Sequence, residues 1–507
     1  MDKEEIYRKL VEICGENDVS IDDADLIATG DWIAKGLEAL YKNISFKATA
    51  LVTPKNKDEI VQIVKFANAN KIPLIPRAAN TSYAGQVLPV KDNTVLMDFG
   101  KHMNKILEIN IKEEYAVVEP GVEFWYLQEQ LAKEGYFFPA EPGSAFSCMI
   151  GGMVANNASG ATSFRFGTTH DYVNGLEIIM ADGSIIHTGH KENVKSVAGY
   201  DLTSLFVGSE GTLGIYTEIY LKIKKMPQNE VSLILAFKDL DSAFQAIEMI
   251  RNLEITESLA LLEYVDEMTI EGINANLKFR EKKGLLQKKM KVPKRAGTLL
   301  IKLIGPRYKE DLQKLQENLQ QFQDAKIEVM EEPIDQKFLW DARHYAGPGI
   351  ARTMPPPEGP RMFIPAILDI AVPPRKIIDF IKSSKEISQK YGYIPIGMGH
   401  IFDGNIHLIS AQNITEENLK KVKAFQEEIL EVVYSLGGSV TAEHGVGFWK
   451  QQFLEKEYGK ETMDVMKKIK YALDPNNIFN PDKMGLGVIS SIVHFEGLGE
   501  KDERRND

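Results

Sequence analysis

Residues 199–215 of this chain read GYDLTSLFVGSEGTLGI, a segment in which glycine recurs among apolar residues. Three segments of the same kind come before it: PRAANTSYAGQ at 76–86, PGSAFSCMIGGMVANNASG at 142–160 and FRFGTTHDYVNGLEIIMADG at 164–183. Glycine and other small residues let backbone N–H groups come close to a phosphate. One glycine turn is weak support for such a site. Four such segments, in this order and with these sequences, are together a more specific indication of a phosphate-binding site.

The glycine-rich segments match neither of two common nucleotide-binding motifs. No GxGxxG opens a helix after a strand, so an ordinary Rossmann site is not supported. No GxxxxGK followed by Ser or Thr occurs either, which argues against a P-loop nucleotidase.

The composition is that of a soluble globular protein, with 507 residues of which 44% are hydrophobic and 26% charged. It excludes a mostly disordered chain, a collagen and a coiled coil, and the length predicts roughly two to four domains. The net charge of −12 argues against general nucleic-acid binding, so no nucleic-acid partner is expected. The two cysteines, Cys14 and Cys148, are too few for an iron–sulfur cluster and fit a reducing cytosol.

The N-terminus and the charge pattern predict a cytoplasmic protein. The opening MDKEEIYRKL lacks the apolar core of a secretory signal, and no uncharged run of about 18 apolar residues occurs. Residues 278–295, KFREKKGLLQKKMKVPKR, oppose the net charge. They form either a solvated basic face or a docking patch for an acidic electron-transfer partner or an anionic membrane surface. Any membrane contact is therefore expected to be peripheral, at the inner face of the membrane, through this segment.

Apolar periodicity divides the chain into regions. Residues 1–45 have helical spacing and form a lead-in. Strand-like and helix-like runs alternate from 46 to 226, and Pro227 marks a boundary. A second α+β region follows, and residues 488–507 have the composition of a solvated tail.

Several short motifs in the first region carry a family resemblance. They are IGG (150–152), FGTTHDYV (166–173), ADG (181–183), GYDL (199–202) and GSEGTLGI (208–215). Together they resemble the FAD-binding type-4 family, named for vanillyl-alcohol oxidase and p-cresol methylhydroxylase. The chain looks most similar to the branch of D-lactate dehydrogenase and the glycolate oxidase flavoprotein subunit, from about Phe46 to Lys483.

The resemblance implies an α+β fold. A two-subdomain FAD-binding PCMH-type domain is expected at 46–226, and an α+β cap, the FAD-linked oxidase C-terminal domain, at 227–440. Residues 441–487 are expected to return to the flavin domain, because ALDPNNIFNPDKM at 472–484 also matches the family.

The resemblance also implies which residues bind FAD. The loop 76–86 would surround the pyrophosphate, and Ile215 would lie near the adenine end. The implied FAD-binding residues are Arg77, Ala78, Ala79, Asn80, Thr81, Ser82, Gly85, Gln86, Pro142, Gly143, Ser144, Gly151, Gly152, Asn156, Gly160, Gly208, Glu210, Gly211, Gly214, Ile215 and Asn480. For the last of these, a helix-stop loop position is the alternative.

The loop 76–86 departs from the family pattern. Ala78 and Ala79 replace glycines, and alanine resists positive φ. Either the loop geometry is milder, or other residues supply the N–H groups. The loop has no His or Cys, so FAD is expected to be non-covalent.

Two short motifs near the C-terminus predict a metal site. GHIFDGNIH (399–407) places His400 and His407 around a tight turn, and TAEHGVG (441–447) offers Glu443 and His444. Two histidines and a carboxylate are a familiar set for zinc, manganese or iron; the alternative is ordinary hydrogen-bonded histidines. The resemblance makes His400, His407 and Glu443 the ligands of a divalent metal, with zinc expected, and His444 the catalytic acid/base.

This set is suited to oxidising an alcohol next to a carboxylate. A cation orients the substrate and lowers its hydroxyl pKa, while a neutral His accepts the proton as hydride leaves for flavin N5. An arginine is wanted for the substrate carboxylate. Arg352 is the first candidate and Arg343 the second, and the alternative for each is a surface ion pair.

Two departures bear on the substrate. Ile367 and Ile409 stand where the D-2-hydroxyglutarate branch has Lys and often Asn. Both replacements remove polar contacts and favour a small D-2-hydroxy acid such as D-lactate or glycolate, or one with an apolar side chain. A D-2-hydroxyglutarate-type dehydrogenase is the alternative.

Electrons must leave through another molecule, because no CxxCxxC run is present. An iron–sulfur subunit, an electron-transfer flavoprotein, a quinone or oxygen would serve. Three other classes stay open: a metallohydrolase without flavin, a non-catalytic flavoprotein subunit, and a synthase of the alkyl-glycerone-phosphate type. The first leaves the glycine-rich segments unexplained, and the others leave the histidines unexplained.

Overall fold

The structure is a computed structural model that describes residues 1–31, 34, 38, 46–193, 195–285, 290–344, 346, 368–393, 396–409 and 416–487. The strands are β1 (Val19–Ser20), β2 (Ala50–Val52), β3 (Leu74–Arg77), β4 (Val95–Asp98), β5 (Ile106–Asn110), β6 (Tyr115–Val118), β7 (Tyr136–Phe137), β8 (Val173–Ile179), β9 (Ile185–Gly189), β10 (Ile215–Lys222), β11 (Lys224–Lys225), β12 (Glu230–Phe237), β13 (Leu259–Val265), β14 (Gly297–Ile304), β15 (Lys326–Met330), β16 (Leu368–Ala371), β17 (Ile396–Gly399) and β18 (Asn405–Ile409). The helices are α1 (Lys3–Cys14), α2 (Asp23–Ala28), α3 (Lys57–Asn70), α4 (Phe124–Lys133), α5 (Ile150–Asn156), α6 (Ser163–Phe166), α7 (Thr169–Tyr172), α8 (Leu202–Phe206), α9 (Leu240–Asn252), α10 (Glu267–Lys282), α11 (Tyr308–Leu319), α12 (Pro333–His344), α13 (Ile377–Tyr391), α14 (Glu416–Ser435), α15 (Gln451–Tyr458) and α16 (Lys460–Leu473).

The first half of the chain builds two larger sheets. A four-stranded sheet has the order β1-β2-β4-β3, in which β2 and β3 run parallel to β4. A five-stranded antiparallel sheet follows, in the order β5-β6-β10-β8-β9. Helix α3 begins where the Asn56 side chain accepts the Glu59 N–H, and its apolar stripe buries Ile60, Ile63 and Val64 in the core beside the four-stranded sheet.

The second half builds a seven-stranded sheet, in the order β15-β12-β14-β13-β17-β18-β16. All of its neighbouring strands pair antiparallel. Strand β13 is buried along its whole length, so its side chains contact packed elements on both faces of the sheet. This sheet and the two of the first half, together with the helices packed on them, confirm the predicted α+β fold.

The C-terminal segment packs against the first four-stranded sheet. Leu74 of β3 pairs with Phe479, and the Asn480 N–H donates to the Leu74 carbonyl at 2.8 Å. The buried Lys470 ammonium donates to the carbonyls of Thr212 and Phe479. The predicted domain limits themselves stay predictions, and the predicted tail at 488–507 lies outside the described residues.

The basic segment 278–295 spans the end of α10 and the residues after it, and 286–289 lie outside the described residues. Two of its cations are paired, Arg280 with Asp341 and Lys294 with Glu271. Whether the segment docks a partner stays a prediction. Among the helices of the described ranges, none is both long and apolar enough to cross a bilayer.

Candidate active site

A cavity of about 1030 Å³ lies between the two halves of the molecule. One wall consists of the loop after β3, residues 141–144 and the turn at 210–214. The facing wall consists of the seven-stranded sheet and helix α12. Its volume is at the upper end of the range for small-molecule and cofactor sites.

Most of the residues expected to bind FAD line this cavity. They are Arg77, Ala78, Ala79, Asn80, Thr81, Ser82, Gln86, Pro142, Gly143, Ser144, Gly151, Gly152, Asn156, Glu210, Gly211, Gly214 and Asn480. Four others do not line it: Gly85, Gly160, Gly208 and Ile215. Ile215 begins β10 and is buried in the apolar core, while a Cβ on Gly160 would lie 2.1 Å from the Glu141 carbonyl oxygen.

The alanines in the loop 76–86 do not need the left-handed conformation. Asn80 takes it, with φ of 56°, and Gly85 takes it with φ of 75°. Asparagine tolerates this region better than alanine does. The departure from the family's glycines therefore leaves the turn without strain at Ala78 or Ala79.

Some cavity glycines are required by packing. A Cβ on Gly151 would lie 2.6 Å from the Pro120 Cβ, and one on Gly214 would lie 2.6 Å from the Ile178 Cγ2. Helix α5 and the start of β10 can approach their neighbours only with glycine at these positions.

The cavity wall also carries buried polar atoms that suit a polar cofactor. Within the described ranges, Arg77 Nε, Asn80 Oδ1 and Asn480 Oδ1 are buried without a hydrogen-bond partner. Buried polar atoms are seldom left unpaired. With the small-residue walls, these atoms fit a long cofactor with donors and acceptors, as FAD is.

On the opposite wall the three residues predicted as metal ligands, His400, His407 and Glu443, lie close together. His407 Nε2 lies 3.2 Å from Glu443 Oε1, and His400 Nε2 lies 3.5 Å from Glu443 Oε2. The second ring nitrogen of each histidine faces a buried carboxylate: Glu263 for His400, and Asp369 at 3.6 Å for His407. Metal-binding histidines usually have such a partner, so these residues fit a divalent cation.

His444 lies directly beside this set. Its ring stacks on His407 with centroids 5.1 Å apart, and Tyr83 packs on it at 4.9 Å. Its Nε2 is 3.5 Å from Glu443 Oε1, while its Nδ1 is 3.7 Å from Asp369 Oδ2. The packed rings restrict the imidazole to one orientation next to the ligand set.

The loop 441–447 curls, so that the adjacent Glu443 and His444 side chains both reach this site. Asp369 Oδ2 accepts the N–H groups of Ala442, Glu443 and His444 at 3.1, 3.0 and 2.8 Å. A carboxylate that accepts three backbone donors fixes the loop conformation. The ligand atoms that lie within 4.8 Å of one another belong to Asp369, His407, Glu443 and His444. His400 is not in this group, so the set of His400, His407 and Glu443 stays a prediction.

Flavin-domain side chains hold the same loop from the other side. Gln86 Nε2 donates to the His444 carbonyl at 2.7 Å, and Asn156 Nδ2 donates to the Glu443 carbonyl at 3.1 Å. The Glu210 carboxylate accepts the N–H groups of Val446 and Gly447 at 2.6 and 2.8 Å. The polar groups of three residues expected to contact FAD are thus engaged, at least in part, by the loop.

The ionisation states of Glu443 and His407 suit a cation, whereas that of His400 opposes it. Burial alone raises the pKa of the Glu443 carboxyl, but the His400, His407 and His444 imidazoles outweigh it and hold this pKa well below its usual range. Burial lowers the pKa of His407, which favours the neutral ligand. Burial also lowers the pKa of His400, but Glu263 and Glu443 outweigh it and raise this pKa well above its usual value. A bound cation must therefore displace a proton from His400.

Of the two arginines predicted to bind the substrate carboxylate, Arg343 lies within the described residues and Arg352 does not. Arg343 lines the cavity, and its Nε and Nη2 donate to Glu263 Oε2 at 2.8 and 2.6 Å. Arg352 and Ile367 lie outside the described residues, as does the side chain of Ile409.

Sequence reasoning missed three residues of this site. Glu263 could have been found as the lone acidic residue in the apolar run LALLEYV. Asp369 could have been found in the same way, in the buried strand LDIA. No signal in the sequence marks Tyr83 as a neighbour of His444, because the contact joins distant segments.

Comparison with known proteins covers nearly all of this architecture. Residues 226–484 match the family "FAD linked oxidases, C-terminal domain", and residues 48–189 match the family "FAD binding domain". The chain is 35% identical to the glycolate oxidase subunit GlcD of Bacillus subtilis, over 86% of this chain and 88% of that protein. It is 33% identical to the mitochondrial D-lactate dehydrogenase [cytochrome] of Arabidopsis thaliana, over 86% and 73% of the two chains.

More distant matches extend the same pattern. D-2-hydroxyglutarate dehydrogenase of Stutzerimonas stutzeri is 28% identical over 87% of this chain and 92% of that protein. Among solved structures, substrate-bound p-cresol methylhydroxylase matches with a TM-score of 0.77 at 19% identity, over 96% of this chain and 97% of that one. At this identity the structural likeness supports the fold alone.

Proposed function

Because this chain belongs to the FAD-linked oxidases, in the branch of glycolate oxidase, D-lactate dehydrogenase and D-2-hydroxyglutarate dehydrogenase, we propose that it oxidises a small D-2-hydroxy acid to the 2-oxo acid. It is an FAD-linked oxidoreductase. D-lactate, glycolate or a related acid with an apolar side chain is the proposed substrate, with D-2-hydroxyglutarate as the alternative.

One observation supports this proposal most directly. His400, His407 and Glu443 converge, with His444 beside them, on the wall of the cavity that faces the FAD-binding domain. A flavoprotein without catalysis has no need of such a set, and a hydrolase has no need of the FAD-binding domain.

In the proposed reaction, the cavity residues of the first domain would hold FAD non-covalently. His400, His407 and Glu443 would hold a divalent cation, with zinc expected and manganese or iron as alternatives. When bound, FAD supplies a hydride acceptor and the cation supplies polarisation of the substrate's hydroxyl and carboxylate oxygens.

The chain's own residues orient the substrate and move one proton. His444 accepts the hydroxyl proton on Nε2, because its Nδ1 faces Asp369. Tyr83 and His407 keep that ring in place by packing on it. Arg352 is proposed to bind the substrate carboxylate, since the Nε and Nη2 of Arg343 already donate to Glu263.

Electrons then pass to a separate acceptor. Because Cys14 and Cys148 are buried and far too few to hold a cluster, the chain itself offers no iron–sulfur relay. The B. subtilis relative is named as a subunit of glycolate oxidase, which supports a separate partner; an iron–sulfur subunit, an electron-transfer flavoprotein or a quinone is the proposed acceptor.

The proposal is tested by anaerobic titration of the yellow, metal-loaded protein with D-lactate, L-lactate, glycolate and D-2-hydroxyglutarate. Bleaching of the flavin band by D-lactate or glycolate is the expected result. Bleaching by D-2-hydroxyglutarate alone would replace the substrate. A flavin that none of the four acids reduces would point instead to a non-catalytic subunit or a synthase.

A further inference from the structure

Glu263 is a fully buried acid in the middle of an apolar strand. It lies in β13, between Leu262 and Tyr264, and is 0% exposed. The next residue along the strand pairs with Gly399 of β17, so Glu263 lies close to His400, which follows that glycine. A buried carboxylate is costly unless charged or polar partners compensate it.

Each oxygen of this carboxylate has its own partner. Oε1 contacts His400 Nδ1 within hydrogen-bond distance. Oε2 accepts both Nε and Nη2 of Arg343, at 2.8 and 2.6 Å. Arg343 comes from helix α12 and its side chain is only 14% exposed. The three side chains therefore form one chain of contacts that leads from the helix to the ligand set.

The two histidine ligands differ in this respect. His407 Nδ1 has no hydrogen-bond partner within the described ranges, and it faces Asp369 Oδ1 at 3.6 Å. Asp369 is engaged by the loop 441–447 and by Asn405. His400 is thus the ligand whose second nitrogen is held firmly. A carboxylate at Nδ1 directs the Nε2 lone pair toward the metal side of the ring.

We propose that Glu263 is a positioning residue for His400, and that Arg343 serves the site by fixing Glu263. The inference rests on the proposed function, since it concerns a ligand of the proposed cation. It assigns a role to two residues, one of which the sequence had suggested for the substrate.

The test removes the ion pair as a unit. Glu263→Leu/Arg343→Met leaves no unpaired buried charge, so the fold should survive. Zinc affinity is measured by competition with a chelator on the FAD-loaded, metal-depleted protein. We expect an affinity about 10–100-fold weaker than that of the unmodified protein. Unchanged zinc affinity in this double variant would overturn the inference.

A rescue variant separates positioning from mere packing. Glu263→Gln/Arg343→Met returns an oxygen acceptor to His400 Nδ1 and should recover most of the zinc affinity. Equal affinities of the two double variants would mean that the acceptor has no role. The matched control is Glu177→Leu/Lys57→Met, which removes a buried carboxylate of the five-stranded sheet and its partner cation on helix α3 and should leave zinc affinity unchanged.

Two further readouts complete the test. At saturating zinc the first double variant should still bind the cation; a variant that binds no zinc at any concentration would mean that the site itself was destroyed and would overturn the positioning role. His400→Ala in parallel reports on the proposed function. If the unmodified protein binds no zinc, or His400→Ala binds it equally well, the metal site and the inference both fail. A loss of zinc affinity in His400→Ala, without a loss of zinc affinity in the first double variant, would contradict the inference but leave the proposed function standing.

Discussion

At the scale of single residues, the site depends on side chains whose orientation is set by neighbours from other segments. The His444 imidazole lies between Tyr83 and His407, and Glu443 Oε1 is 3.5 Å from its Nε2. An acid/base group must be both oriented and close to the proton that it moves. The packing supplies the orientation, and the position beside the ligand set supplies the proximity.

His444→Ala should therefore keep FAD and the cation but lose flavin reduction by the substrate, by about 10²–10⁴-fold. The rate of anaerobic flavin bleaching in a stopped-flow instrument measures this loss. His187→Ala is the matched control, because that histidine is 60% exposed and lies on β9, away from the cavity. Reduction at the normal rate in His444→Ala would remove this histidine from the mechanism.

At the scale of elements, the loop 441–447 links the two domains. Asp369 of β16 holds it from the cap side, and Glu210 holds it from the flavin side. Burial raises the pKa of the Glu210 carboxyl to about 7. Gly445, with φ of 71°, has no Cβ, and flavin-domain side chains occupy the space where a Cβ would lie.

Gly445→Ala should distort this loop. A Cβ there would lie 2.4 Å from Asn156 Oδ1, 2.6 Å from Gln86 Nε2 and 2.7 Å from Glu210 Oε1. The variant should lower the thermal midpoint, since the positive φ alone costs on the order of 1–3 kcal/mol, and the collision should displace the loop and lower metal affinity. Calorimetry and zinc titration measure the two effects.

Gly437→Ala is the control that isolates the collision. Gly437 has φ of 76°, but a Cβ there meets nothing within 4 Å. It should therefore show the backbone cost without loss of zinc affinity. Equal effects of the two substitutions would contradict the role given to the loop.

At the scale of the whole molecule, the C-terminal segment joins the FAD cavity to the flavin-domain sheet. Asn480 is 2% exposed, and its Nδ2 donates to the carbonyls of Gln86 and Glu210 at 2.9 and 2.7 Å. Its Oδ1 is buried, lacks a partner within the described ranges, and belongs to a residue of the cavity wall. The residue thus connects three segments that are far apart in the sequence.

Asn480→Ala should weaken FAD binding by about 5–150-fold, because two buried carbonyls lose their donors at about 1–3 kcal/mol. Fluorescence of released FAD on dilution measures the dissociation constant. Asn476→Ala is the matched control, since that asparagine is exposed and its Nδ2 donates to Asn68, away from the cavity. An unchanged FAD affinity in Asn480→Ala would separate the segment from the cofactor site.

The sequence predicted the fold class and the FAD-binding domain, because the glycine-rich motifs are specific and continuous. It also predicted the convergence of His400 and His407, since a turn of only a few residues joins them. Glu263 and Tyr83 could not be placed, because their contacts with His400 and His444 depend on strand register and loop packing over more than a hundred residues. The sequence likewise left open how the loop 76–86 accommodates alanine at 78 and 79; the residues that adopt the left-handed conformation are Asn80 and Gly85.

The most direct test of the account is removal and return of the divalent cation. The FAD-loaded protein is freed of metal with a chelator and mixed anaerobically with the hydroxy acid found to reduce it. The account predicts that flavin reduction is lost and that about one equivalent of zinc per chain restores it, while His400→Ala, which lacks a ligand, is not restored. Reduction at the normal rate by protein free of metal would contradict the claim that His400, His407 and Glu443 act through a bound cation.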